Sequence, residues 1–158
     1  LLEGNFRNGR LKAEGDLLSP ETRRFAEDLA AGARTVLIPY LNRLGDAGRF
    51  EDVIFAIRTV VDLRTFAKDT EFLHELLVIL GETLHRAGSV ADAEKTFQGI
   101  LGVFPNSAPA LNNLGALRFA EGRPAEARTL FQRALAVDPH NEDARVNLAV
   151  LQESAGIS

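Results

Sequence analysis

Residues 108–141 read APALNNLGALRFAEGRPAEARTLFQRALAVDPHN, and the fold of the chain can be predicted from this segment. Residues 74–107 read HELLVILGETLHRAGSVADAEKTFQGILGVFPNS and carry the same residue types at the same places. The clearest coincidences, each 34 positions apart, are Leu80-Gly81 with Leu114-Gly115, Ala93 with Ala127, Phe97 with Phe131, and Pro105 with Pro139. A fixed period of this length is typical of stacked helical repeats.

Each unit reads as a helix, a tight turn and a second helix. Gly88 and Gly122 follow the first helices, where a left-handed residue satisfies the last carbonyls. Pro105 and Pro139 end the second helices, because proline cannot continue the hydrogen-bond ladder. The second helix of the later unit has apolar residues spaced to form one face; they are Ala127, Leu130, Phe131, Ala134 and Leu135.

Two glycines stand in the middle of first helices. Gly81 and Gly115 each cost about 1 kcal/mol in helix propensity relative to alanine. Ala149 occupies the same place one period later. Small residues at this place predict the close approach of a neighbouring helix.

These segments resemble the tetratricopeptide repeat. The resemblance rests on Ala110-Leu111-Asn112-Asn113-Leu114-Gly115, Glu126-Ala127, Phe131, Ala134-Leu135 and Asp138-Pro139. It implies an all-α fold, a right-handed superhelical solenoid of antiparallel helix pairs. Residues 74–107 and 108–141 are two clear repeats, 34–67 is a degenerate repeat without the Leu-Gly pair or the closing proline, and 142–158 is a C-terminal helix forming half a repeat.

The N-terminal residues stand outside the period. Residues 1–19 are expected to be a leader or the tail of an upstream domain, either irregular or a hairpin turning at Asn8-Gly9. Ser19-Pro20 is a typical helix start, and we expect a separate helix over 20–33 that packs on the solenoid. The lack of Met at position 1 favours a segment of a longer protein.

Composition argues against several function classes. The net charge of −4 does not suit non-specific nucleic-acid binding, which needs a basic surface. No apolar run reaches the ~20 residues that cross a bilayer, so no membrane association is expected. The chain has no cysteine, and His74 and His85 lack a third ligand for a metal. We find no catalytic pattern, and we expect no cofactor, no metal and no enzymatic activity.

The resemblance also implies where a partner binds. In this family the first helices line the concave side of the stack. The residues that register places there are Val78, Glu82, His85, Arg86, Asn112, Asn113, Ala116, Phe119, Asp143, Val146, Asn147 and Val150. Asn113 and Asn147 occupy equivalent places, and an amide can serve both the N–H and the C=O of a bound backbone. The alternative is that these amides join neighbouring helices.

One further alternative stays open at this concave side, and one binding mode of the family is not expected. Phe119 is either an exposed anchor or part of the core between repeats. The family's lysine clamp for a C-terminal carboxylate is missing, since its places hold Val78, Asn112 and Asp143. We therefore do not expect an acidic chaperone tail as the partner.

The sequence thus predicts a non-catalytic module that binds a protein or peptide, within a larger bacterial protein located in the cytoplasm, with the periplasm left open. One alternative is a scaffold that self-associates into a homo-oligomer through its apolar last helix, which carries Val146, Leu148, Val150 and Leu151. A second alternative is a regulatory or substrate-recruiting domain of a larger transferase-type enzyme.

Overall fold

The computed structural model describes residues 6–7, 10–11, 20–62, 69–154 and 156. Within them, two short strands, β1 (Phe6–Arg7) and β2 (Arg10–Leu11), pair antiparallel with Phe6 opposite Leu11. The helices are α1 (Pro20–Asp46), α2 (Phe50–Asp62), α3 (Thr70–Arg86), α4 (Val90–Val103), α5 (Ala108–Ala120), α6 (Pro124–Val137) and α7 (Glu142–Ser154). The turn expected at Asn8-Gly9 lies outside the described residues. The described helices confirm the expected all-α solenoid.

Local chemistry sets the helix ends. Gly122 has a φ of 75°, and its N–H donates to the carbonyl of Phe119 at 3.0 Å, which closes the last turn of α5. At the start of α5 the Ser107 hydroxyl accepts a hydrogen bond from the Ala110 N–H at 3.2 Å. Asp69 caps α3 in the same way, by accepting from Phe72 N–H at 2.9 Å.

The two mid-helix glycines lie against phenylalanine rings. A Cβ on Gly81 would lie 2.5 Å from Cε1 of Phe97, and one on Gly115 would lie 2.7 Å from Cε1 of Phe131. Both rings are fully buried. The predicted close approach is therefore present, and the contacting group is the phenylalanine of the second helix in the same pair.

The stack curves because one set of helices lies closer together than the other. Each first helix contacts the next along the series α1, α3, α5 and α7. Throughout the described residues, the second helices α2, α4 and α6 make no close backbone contact with one another. The first helices therefore form the inner side of the curve, and the second helices form the outer side.

Helix α1 differs from expectation. It runs without interruption over Pro20–Asp46, so the helix expected over 20–33 is not a separate element. The expected break falls near Gly32, which is flanked by Ala31 and Ala33, and one glycine costs only about 1 kcal/mol in a helix. Pro39 also lies inside α1. No described helix is both long enough and apolar enough to cross a membrane.

Candidate functional site

The inner side of α3, α5 and α7 is the candidate site. Residues three, four and seven apart on one helix share a face, so these three helices present their side chains in parallel rows. We use the name inner face for the following residues: Glu82, His85, Arg86, Asn113, Ala116, Phe119, Asp143, Val146, Asn147 and Val150. These residues are taken from the set that the register predicts for the concave side.

The two asparagines at equivalent places both bridge helices. The amide nitrogen Nδ2 of Asn113 on α5 donates to Oε1 of Glu82 on α3 at 3.1 Å. That of Asn147 on α7 donates to Oδ1 of Asn112 on α5 at 2.9 Å. Each amide thus joins its helix to the preceding first helix. Since an amide offers two donors and two acceptor lone pairs, each retains capacity for a guest.

Two of the expected lining residues are buried. Asn112 is only 6% exposed and its carbonyl oxygen is taken by Asn147. Val78 is likewise buried, in the apolar cluster around Phe97. The expectation that these two line the surface is corrected, because both lie in the seams between first helices. They lie beneath the inner face.

Phe119 is half-buried, and it packs with Ala116 against the cluster formed by Ala127, Phe131 and Leu151. The ring is therefore part of the contact between repeats. Of the two readings left open by the sequence, core packing describes the larger share of this side chain.

The carboxylates on the inner face act on each other. Burial raises the pKa of the Glu82 carboxyl, and the negative charge of Asp143 raises it further, while the hydrogen bond from Asn113 and the charge of Arg86 lower it in part. Glu82 and Asp143 have no ion-pair partner within 4 Å among the described residues. Two acidic groups on different helices therefore face a common space.

Arg86 is directed away from that space. Its Nη2 donates to the carbonyl of Gly45 at 2.8 Å, and its guanidinium lies 5.2 Å from the ring centroid of Phe50. Its nearest carboxylate is Asp46, at 4.0 Å. These contacts tie Arg86 to the turn between α1 and α2, so its charge offsets Glu82 only in part.

The exposed large apolar side chains of the last helix lie on one face. Val146 and Val150 are 55% and 47% exposed, and they share a helix face with Asp143 and Asn147. The face that corresponds to the α6-covered side of α5 instead carries Arg145, Ala149 and Gln152, all exposed. The exposed valines thus belong to the inner face, and that other face of α7 is mainly polar.

The structure contains a buried charge network that the sequence analysis did not predict. Arg118 on α5 is only 8% exposed, and it pairs with Glu94 on α4 at 2.5 Å and with Glu121 at 3.0 Å. The sequence did contain a sign of it, because Arg118 stands where the preceding repeat has the apolar Leu84. This network joins two helix pairs on the side away from the inner face, so it supports the stack and is not part of the site.

One of the three histidines, His74, has structural contacts in this molecule. His74 shares a 2.7 Å hydrogen bond with the Ser107 hydroxyl, and its ring meets Phe104 edge-on at 4.9 Å. Among the described residues, no group of three or more His, Cys, Asp or Glu side chains could hold a metal ion. A shallow depression lies at the turns near Gly48 and Ala87, and its lining does not include the two asparagines.

Comparisons with known proteins agree with this architecture. Residues 118–156 match the family model for the tetratricopeptide repeat. The first tetratricopeptide domain of Spaghetti (RPAP3), bound to the HSP90 peptide SRMEEVD, superposes with a TM-score of 0.63 at 20% identity, over 79% of this chain and 94% of that one. The NMR structure of the first such domain of human RPAP3 gives 0.64 at 20%, over 78% and 92%.

A crystal structure of MamA gives a TM-score of 0.52 at 27% identity, over 80% of this chain and 66% of that chain. No curated protein matches the sequence. The molecule is therefore a helical-repeat protein with a stack of helix pairs. The expected resemblance to the tetratricopeptide repeat is confirmed, since residues 118–156 match the family model and the described stack has the fold of these domains.

Proposed function

We propose that the chain is a non-catalytic interaction module that holds an extended segment of a partner protein on its inner face. The observation that carries this proposal is the repeated asparagine: Asn113 and Asn147 lie one period apart, both half-buried, on adjacent first helices. Amides at a regular spacing suit the regular N–H and C=O groups of an extended backbone.

Two further observations support the proposal. Exposed Val146 and Val150 beside Asn147 offer apolar surface next to the amides, and grooves that bind peptides combine backbone hydrogen bonds with pockets for side chains. A domain of the same fold, the first tetratricopeptide domain of RPAP3, is bound to a peptide. Tetratricopeptide domains in general mediate protein–protein interaction.

The proposal is tested by selecting binders for the whole chain from a displayed library of random peptides. Binding is then mapped by shifts of backbone amide NMR signals. Signals of α3, α5 and α7 should move, and those of the outer helices α4 and α6 should not. The double variant Asn113→Ala/Asn147→Ala should bind selected peptides about tenfold more weakly, since each hydrogen bond contributes about 0.5–1.5 kcal/mol.

A matched control is Gln98→Ala/Gln132→Ala. These two glutamines are also 34 positions apart and exposed, but they lie on α4 and α6. This variant should bind like the parent, and both variants should retain parental helicity. A library that yields no binder, or peptides that shift the outer helices, would refute the proposal.

A further inference from the structure

The inner face has an unbalanced negative charge. Glu82 on α3 and Asp143 on α7 carry carboxylates without an ion pair among the described residues, and the charge of one acts on the other. Two acids on α3 are neutralised, since Glu71 and Glu75 each accept a hydrogen bond from Arg34, at 3.0 Å and 3.1 Å. Glu82 and Asp143 are therefore the acids of the inner face that have no ion pair within the described part of the chain.

Nearby arginines do not supply the missing cation. Arg86 is tied to the carbonyl of Gly45 and lies against the ring of Phe50. Arg118 is buried between Glu94 and Glu121 on another side of the stack, and Arg145 pairs with Glu142. The described cations thus leave the space before Glu82 and Asp143 negative.

An amide and two aliphatic side chains lie next to the carboxylates of Glu82 and Asp143. Asn113 bonds Glu82 and keeps free donor and acceptor capacity beside it. Val146 and Val150 follow Asp143 on the same face of α7 and are half-exposed. A negative centre with an aliphatic border complements a basic side chain that is next to an aliphatic one.

We infer that the inner face selects a basic peptide segment, whose lysine or arginine cation lies between the carboxylates of Glu82 and Asp143 while a neighbouring aliphatic side chain lies on Val146 and Val150. This inference rests on the proposed function and specifies the partner's chemistry. Charge complementarity of this kind determines which partners are accepted, because like charges brought together on binding are unfavourable.

The inference distinguishes this chain from a domain of the same fold. The peptide bound to the RPAP3 domain, SRMEEVD, contains three acidic residues and one basic residue. On the present inner face, such a peptide would place its carboxylates beside Glu82 and Asp143. We therefore expect SRMEEVD to bind this chain more weakly than a basic peptide of equal length.

The test uses three fluorescent peptides of equal length with the same aliphatic residues, which differ only in carrying Lys, Gln or Glu at two central positions. Affinity is measured by fluorescence anisotropy, with SRMEEVD as a fourth probe. The Lys peptide should bind about tenfold more tightly than the Gln peptide, and the Glu peptide should bind most weakly. The preference should shrink between about 0.05 M and about 0.5 M salt, because salt screens exposed charges.

Variants locate the effect. Glu82→Gln and Asp143→Asn should each weaken the Lys peptide about three- to fivefold and leave the Gln peptide unchanged. Glu142→Gln is the matched control: it removes the same charge one residue from Asp143, but its side chain pairs with Arg145 on another face. This control should bind the Lys peptide like the parent.

The outcomes separate the two proposals. If the Gln and Glu peptides bind as tightly as the Lys peptide, or if Glu142→Gln weakens binding as much as Asp143→Asn, the inference is overturned while binding on the inner face stands. The same holds if none of the three peptides binds but the random library yields inner-face binders without basic residues. A library without any binder refutes the proposed function as well.

Discussion

The pair α5–α6 and the pair α1–α2 build the same helix hairpin with opposite choices of side-chain size. Where α5 has Gly115 facing Phe131, the equivalent residues of the first pair are Leu41 and Ile57, all four buried. A glycine beneath a phenylalanine ring lets two backbones approach closely, whereas two branched residues hold them apart. Accordingly, α5 and α6 lie close together along more of their length than α1 and α2 do.

This difference teaches that the hairpin geometry depends on the sum of the facing side chains and not on either residue alone. Cores tolerate several side-chain combinations if volume and pattern are kept. In α5–α6 the ring of Phe131 occupies the space above Gly115, so neither residue can change size alone. In α1–α2 the contact is shared between two side chains of similar size, and each should tolerate change better.

The largest expected effect is the loss of the ring. Phe131→Ala should lower the free energy of unfolding by about 3–5 kcal/mol, and Ile57→Ala by about 2–4 kcal/mol, because the larger side chain leaves the larger cavity. Urea titration followed by circular dichroism gives both values. An equal or greater loss at Ile57 would contradict the view that the later pair depends more on one side chain.

The next prediction exchanges the sizes of the facing side chains at positions 115 and 131. Gly115→Leu should cost about 1–3 kcal/mol by overpacking against Phe131. Adding Phe131→Ile makes the contact resemble that of α1–α2 and should recover about 1 kcal/mol of the loss, since contacting residues do not act additively. The measurement is a double-mutant cycle of urea midpoints.

Gly99→Leu provides the control for that cycle. Gly99 lies on α4 with no atom within 4 Å of an added Cβ. Its replacement should raise stability by about 0.5–1 kcal/mol through helix propensity alone. Additive effects of Gly115→Leu and Phe131→Ile would show that ring and glycine do not share one space.

The comparison also explains how far sequence reasoning reaches. The glycine and phenylalanine of this contact recur at a fixed period, so residues 74–141 could be assigned to helix pairs from the amino-acid sequence alone. The first pair keeps the turn glycine, Gly48, but has other residues in place of the Gly-Phe combination. No residue type within α1 indicates where the first repeat begins. The continuous helix through Gly32 was not predicted, because a single glycine neither requires nor excludes a break in a helix.

For the site, the register groups residues by helix face but does not show which of them stay accessible. Val78 and Asn112 have the right helical phase, yet adjacent first helices approach closely enough to bury them. Asn113 and Asn147 have partners 31 and 35 residues away. Such partners depend on how helices are offset along the stack, which no local pattern encodes.

The third prediction concerns the buried arginine of α5 and the residue at the same place in α1. Arg118 occupies the place of Leu44 in α1. Arg118→Ala should cost about 1–3 kcal/mol, because it removes packing and leaves Glu94 without its cation. Arg118→Leu restores the residue type of α1 but still leaves Glu94 unpaired, so it should recover only the packing part of that loss. Arg118→Leu/Glu94→Leu removes both partners and should lie within about 1 kcal/mol of the parent, since packed apolar residues can replace an ion pair at little cost.

The pH dependence checks the same network. Hydrogen bonds from Arg123 and Arg118 lower the pKa of Glu121 below its ordinary value. A depressed carboxyl pKa contributes stability above the unfolded pKa of about 4.3, and that stability is lost as pH falls through the folded value. Arg118→Leu should therefore lose less stability than the parent on acidification. An identical pH profile would indicate that the network does not act on stability.

The smallest expected effect concerns the inner face itself, where α1 has the neutral Asn42 and α3 has Glu82. Burial and then Asp143 raise the pKa of Glu82 in the folded state, so folding favours the protonated form. The destabilising contribution is fully present above the folded pKa and absent below the unfolded one. Glu82→Gln keeps the oxygen that accepts from Asn113 and removes the charge. It should raise stability at pH 7 by on the order of 0.5 kcal/mol.

That gain should disappear near pH 3, where the carboxyl of the parent is protonated in both states. Thermal melts of the parent and Glu82→Gln across this pH range measure it, and Glu142→Gln serves as the control at which no such gain is expected. A gain that persists in acid would arise from packing and not from charge. A gain at pH 7 that vanishes in acid means that the inner face retains an acid at some cost to stability, as expected of a surface that a cation completes.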